Sequence, residues 1–270
     1  MTFIRGNVLT LRLLILFLIL FFAYSCRSTN KDATLNAQRD KLPALEFDKA
    51  EVNRQDTEKR LEFRTAYPKL INFVNEKIAA NFNDSIRAFT DSVYNNFLSY
   101  IPAVEELEQI PDDFINSYDM DYHIYFDKYG IASIRFSEYK YIAGAAHGMT
   151  NFYSENYDLL KFKKITLDDI FANDEYLDSL SSISREILYE RSSEQGMRPD
   201  SNWIQEGTKP EKLYFRCFNL TEKGLLFTFG PYQVASYAEG PQEITIPYSW
   251  VEGILDKNSA AAIIAEMNGE

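Results

Sequence analysis

One apolar stripe constrains this chain more than any other feature. Tyr67, Leu70, Ile71, Val74, Ile78, Phe82, Ile86, Phe89, Val93, Phe97 and Ile101 keep a three-to-four spacing over some nine turns. That period predicts a long amphipathic helix that needs an apolar partner surface along its whole length. The partner follows in the sequence. From Tyr118 the period changes to two, with Met120, Tyr122, Ile124 and Phe126 alternating with Asp121, His123, Tyr125 and Asp127. A strand so patterned buries one face and wets the other, so the helix is expected to pack on a sheet.

The neighbouring segments complete that sheet. Leu45 to Val52 and Lys59 to Ala66 read as strands, the second ending at Tyr67-Pro68, where the residue before proline is pushed to extended angles. Pro102 to Asn116 is an acidic loop with a short helical piece. Lys128-Tyr129-Gly130 turns the chain, Ile131 to Ile142 returns as a strand, and Met149 to Leu159 leads away as another. Thr166 and Asp169 make a capping box for Leu167 to Phe171. A second helix is expected from about Glu175 to Gln195, with Gly196 as its stop. Leu213 to Leu220 and Leu225 to Phe229 read as a hairpin, Glu243 to Ile246 as a last strand, and Ser249 to Leu255 and Ala260 to Met267 as closing helices. Strands and helices without regular alternation predict an α+β fold, a mixed and mainly antiparallel sheet packed against one long N-terminal helix and a second helix.

The N-terminus sets the compartment. Arg5 and Arg12 precede Leu13 to Ala23, eleven apolar residues without a break, then Tyr24-Ser25-Cys26. The run has the length of a signal-peptide apolar segment rather than the roughly 20 residues of a membrane span. A small residue just before a Cys resembles the lipobox of bacterial lipoproteins, so residues 1–25 are expected to be a signal peptide and Cys26 the lipidated mature N-terminus. An uncleaved membrane anchor is the alternative. Residues 26–42 read as a polar tether of about 20–25 Å, and residues 43–270 as a single domain of two fused halves, about 43–117 and 118–270. The expected site is exported and lipid-anchored to the cell envelope, facing the periplasm or the cell surface. A lipidated Cys26 leaves Cys217 without a partner, a buried apolar residue in a strand-like run.

The formal charge is −12. Removing residues 1–25 deletes two arginines and no acid, which takes it to −14. Nucleic acid, which needs a basic footprint, is excluded as a partner, and a basic protein is favoured.

Two loops hold the candidate binding residues. In Tyr139 to Gly148, read YKYIAGAAHG, small residues surround one of two histidines. Tyr141, Gly144, His147 and Gly148 are the candidates there. His147 reads as a structural histidine, a ligand contact or an acid/base group. No nucleophile-elbow motif accompanies it, and His123 with His147 lacks the third ligand and the helical spacing of a zinc site. No catalytic residue, metal or cofactor is assigned, and the chain is expected not to be an enzyme. In Gly230 to Gly240 the candidates are Tyr232, Tyr237 and Glu239, tyrosines beside a carboxylate that suit a protein partner or a sugar face. The same tyrosines could equally turn inward as core.

Several blocks resemble, in order, the extracellular domain shared by RsiV-type anti-sigma factors and PdaC-type peptidoglycan deacetylases. They are the strand into Tyr67-Pro68 with the Ile71 to Phe82 helix, the Ala143 to Gly148 loop, Tyr157-Asp158-Leu159, Ile165 to Phe171, and Gly224 to Gly240 closing with Ile246-Pro247-Tyr248. Ala145 stands where the family commonly has a second glycine. The resemblance implies the extracellular module alone, without a catalytic deacetylase domain or an anti-sigma segment. It implies a lipid-anchored binding module for a lysozyme-like protein, with an accessory or enzyme acting on peptidoglycan, or a structural envelope lipoprotein, as alternatives.

Overall fold

The structure, a computed structural model, describes residues 35–194 and 201–269. The expected signal peptide, Cys26 and the expected helix stop at Gly196 lie outside these residues. The chain divides into Met1–Leu42 and Pro43–Glu270. Within the first, residues 35–39 form a helical turn, α1. No helix among the described residues is long and apolar enough to cross a membrane.

The second unit opens with β1 (Phe47–Asp56) and β2 (Leu61–Leu70), an antiparallel pair from Phe47↔Leu70 to Asp56↔Leu61. Then come α2 (Glu76–Leu98), the short α3 (Val104–Leu107) and β3 (Asn116–Phe126), which pairs in parallel with Leu61 to Thr65. The long helix is therefore the crossover that a parallel pair requires. β4 (Ile131–Tyr141), β5 (Met149–Asp158) and β6 (Lys163–Lys164) follow antiparallel, giving a six-stranded sheet in sequence order. Tyr129 (φ 58°) and Gly130 (φ 68°) both take the left-handed region, the signature of a primed hairpin turn between β3 and β4.

Alternate residues of this sheet face opposite layers. Phe136 and Tyr157 meet α2 through Phe89 and Phe82, with ring centroids 5.0 and 5.1 Å apart. On the other face Ser133, fully buried, donates to Asn156 Oδ1 (2.6 Å) and accepts from Asn219 Nδ2 and Leu220 N (both 2.9 Å). Through that network a second sheet is joined: β7 (Phe218–Leu220), β8 (Gly224–Phe229) and β9 (Gln242–Pro247). Its core is completed by α4 (Tyr176–Glu194), α6 (Tyr248–Val251) and α7 (Ala260–Asn268), with α5 (Ser201–Gly207) beside them. The fold is α+β with a mixed, mainly antiparallel sheet. Residues 117 and 118, where the sequence reading divides the domain, are consecutive positions of β3, and the change of sheet comes after Lys164.

Two elements depart from expectation. The long helix begins at Glu76, capped by Asn75 Oδ1, and the first four members of the stripe lie outside it. β1 offers ladder partners as far as Leu70, so β2 runs on through Pro68, where β3 no longer pairs and a missing N–H is tolerated. Val74, beyond it, is 72% exposed. Lys212–Phe215 is a 3-10 turn instead of a strand start. That curl places Phe215 in the second core against Phe227 and Phe229.

Candidate functional site

The β4–β5 connection is shaped from below by a buried amide. Asn116 Oδ1 accepts from Ala143 N (2.8 Å), while Asn116 Nδ2 donates to Lys59 O (2.8 Å). Gly144 then takes φ 86°, facing Ile110 of the crossover. Gly148 is a glycine for a different reason. A Cβ there would lie 2.3 Å from Cζ and Oη of Tyr139, whose ring covers it. His147 is exposed, with Nδ1 at 2.8 Å from Gly148 O. A carbonyl only accepts, so Nδ1 is the donor in this contact and Nε2 is left facing outward from it.

The second loop is fixed by its own side chains. Gln233 Nε2 donates to Gly207 O (3.0 Å) and Tyr214 O (2.8 Å), stapling the loop to α5 and to the 3-10 turn. Ser236 and Glu239 form a capping box, in which Glu239 Oε1 accepts from Ser236 N (3.0 Å) and Oγ (2.7 Å). Tyr232 is held at φ 67°, an uncommon conformation for a side chain of that size.

The two loops meet. Tyr237 Oη donates to Gly148 O (3.1 Å), and the Tyr237 and His147 rings lie 4.4 Å apart. Tyr232 continues the row at 5.4 Å from Tyr237, and Trp203 of α5 at 6.0 Å from Tyr232. Tyr232 and Tyr237 are 48% and 37% exposed, so they turn outward and not into the core. The result is a row of four aromatic rings, pinned at Gly148 O and open to water along one side.

Of the residues singled out in the sequence, His147, Gly148, Tyr232 and Tyr237 are brought together. Gly144 and Tyr141 are not part of the row: Gly144 packs toward Ile110, and Tyr141, half-buried, pairs with Ser117 at the end of β4. The Glu239 carboxylate caps its own loop. Trp203 and Gln233 escaped the sequence reading. The stretch holding Trp203 has no apolar period strong enough to announce α5, and Gln233 reveals itself only through the two carbonyls it reaches.

No cluster of three potential metal ligands occurs among the described residues. Cys217 is buried, at 3.3 Å from Ser154 Oγ, and burial pushes its thiol above the usual range. That environment disfavours a thiolate.

Comparison with known proteins matches residues 54–150 to the family model described as deacetylase PdaC, and residues 168–249 to that of a protein of unknown function, DUF3298. The peptidoglycan-N-acetylmuramic acid deacetylase PdaC of Bacillus subtilis is 31% identical over 198 residues, covering 73% of this chain. The folded part is a PdaC/DUF3298-type domain. It spans only 39% of the length of that curated relative. Two crystal structures of DUF3298 family proteins share the fold. The one from Bacteroides fragilis is 22% identical, with a TM-score of 0.59 over 84% of this chain and 98% of its own. The one from Pseudomonas aeruginosa is 18% identical, with a TM-score of 0.56 over 80% and 96%. In the PdaC/DUF3298-type domain the ring row lies where the two matched segments touch: His147 and Gly148 come from the first, Trp203, Tyr232 and Tyr237 from the second.

Proposed function

We propose that this PdaC/DUF3298-type domain is a non-catalytic binding module for cell-envelope glycan, with peptidoglycan as its ligand, tethered to the membrane by lipid on Cys26. The observation that carries this reading is the row of exposed rings Tyr232, Tyr237 and His147, continued by the half-buried Trp203. Sugar rings present apolar C–H faces and a rim of hydroxyls. Aromatic rings stack on the faces, while Tyr hydroxyls and the His147 ring nitrogen satisfy the rim. The row is pre-organised by Gly148 O and by the Gln233 staple, so little ordering cost remains on binding. The Bacillus relative, a peptidoglycan deacetylase by name, supports the same ligand class.

The test is co-sedimentation with purified peptidoglycan sacculi, followed by calorimetry with soluble fragments. Saturable binding is expected, weakened about two- to twelvefold in Tyr232→Ala and in Tyr237→Ala, in line with about 0.5–1.5 kcal/mol per ring. Undiminished binding by the double variant would sink the reading. A second reading, capture of a basic muramidase such as lysozyme, is favoured by the net charge of −12. It predicts a one-to-one complex that weakens steeply with salt.

A further inference from the structure

Beside the ring row lies a cleft of about 360 Å³, and Tyr232 belongs to both. Its walls include Thr150, Asn151, Phe152, Thr228 and Arg216, and no carboxylate among the described residues lines it. That is notable in a chain with 40 acidic and 28 basic residues. Arg216 is exposed and, unlike Arg60, Arg64 and Arg135, has neither an ion pair nor a hydrogen bond among the described residues. No carboxylate among the described residues pairs with it at the wall of a cavity large enough for one sugar unit with its substituents. Elsewhere an acidic surface repels anions, so a negatively charged ligand would find its favourable position here.

We infer that this cleft is the anionic subsite of the glycan site: Arg216 pairs with a carboxylate carried by the sugar chain whose rings lie along Tyr232 and Tyr237. The inference rests on the glycan reading and sharpens it, from a neutral glycan to one bearing carboxylates. A planar guanidinium offers two parallel N–H donors to the two oxygens of such a group. The polar walls, Thr150, Asn151 and Thr228, suit the hydroxyl and amide substituents beside it. In peptidoglycan two sources share this chemistry, the lactyl ether of the muramyl sugar and the acidic residues of the peptide stem.

The experiment is calorimetry of the full-length protein in detergent micelles, wild type and Arg216→Ala, with three probes. These are a neutral N-acetylglucosamine oligomer, a peptide-free disaccharide bearing the lactyl carboxylate, and the same disaccharide carrying its peptide stem. Wild type is expected to bind a carboxylated probe about tenfold more tightly than the neutral oligomer, the worth of one charge-assisted pair near a surface. Arg216→Ala should lose that preference and keep its affinity for the neutral oligomer. A preference present without the peptide assigns the lactyl carboxylate; one that requires the stem assigns the peptide. Equal affinity of wild type for all three probes overturns the anionic subsite and leaves the ring row standing, as does an equal loss on every probe in the variant. Failure of wild type to bind any of them overturns both readings together.

Discussion

Gly207→Ala tests whether the ring row is held by backbone contact between α5 and the Tyr232 loop. A Cβ at Gly207 would lie 1.9 Å from Gln233 O and 2.6 Å from Gln233 C, against an ordinary contact of 3.4 Å or more. The shortfall is about 1.5 Å, and the opposing atoms are backbone, so no rotamer change relieves it. Either α5 or the loop must shift. Overpacking of this kind costs about 1–3 kcal/mol. Displacing Gln233 also weakens its two bonds to Gly207 O and Tyr214 O, about 1 kcal/mol each. A total of about 3–5 kcal/mol corresponds to a fall in Tm of about 6–20 °C for a domain of this size. Differential scanning calorimetry of wild type and variant reads it directly, and Trp203 fluorescence reports the accompanying change beside Tyr232. A Tm within about 2 °C of wild type would refute the reasoning, because it would mean that the two backbones separate at no cost.

Gly148→Ala provides the contrast: its clash at 2.3 Å is with the end of the Tyr139 ring, a side chain 42% exposed and free to swing out. Its Tm should fall by no more than about 2–4 °C, about 1 kcal/mol, while peptidoglycan co-sedimentation weakens because the shelf under Tyr237 and His147 is altered. Ser133→Ala leaves Asn156 Oδ1, Asn219 Nδ2 and Leu220 N without their shared buried partner. It should cost about 2–4 kcal/mol in urea unfolding with an unchanged m-value. Burial first, and then neighbouring carboxylates, push the phenols of Tyr118, Tyr153, Tyr157 and Tyr176 well above their ordinary range. Raised native pKa values mean stability that is complete below about pH 10 and lost as pH rises beyond it. Absorbance at high pH should therefore show these four ionising only with unfolding, and a smooth native titration of all tyrosines would contradict it. The Lys212 ammonium, and after it the Tyr176 hydroxyl, hold the Asp168 carboxyl below the usual aspartate range. That contribution is present above about pH 4 and fades as pH falls through the native value. Asp168→Asn should flatten the acid limb of a urea-midpoint profile below about pH 4 and leave the neutral plateau's slope unchanged.

Much of the fold is legible along the chain because its causes are local. The two-residue alternation of β3, the Tyr129-Gly130 turn and the Thr166–Asp169 capping box each depend on residues a few positions apart, and each forms as the pattern predicts. The helical stripe misleads at its start for the opposite reason. Tyr67, Leu70, Ile71 and Val74 keep the helical spacing, yet β1 competes for the same backbone, and a strand partner outside the local window wins as far as Leu70. Periodicity cannot weigh a bond to a residue it does not contain.

The candidate site divides along the same line. From its residues alone the chain marks His147 and Gly148 in one loop and Tyr232 and Tyr237 in another, because small residues and exposed aromatics leave a signature in sequence. It does not place the loops together: Tyr237 and the Gly148 carbonyl that accepts from it are 89 positions apart. Nor does it supply Trp203 or place Arg216 in a cleft that no carboxylate among the described residues lines. Those follow from packing two sheets face to face, since burying Ser133, Asn156 and Asn219 against one another fixes which loops share an edge. Sequence determined the elements and the chemistry available in each, and tertiary structure alone decided which of those chemistries became neighbours.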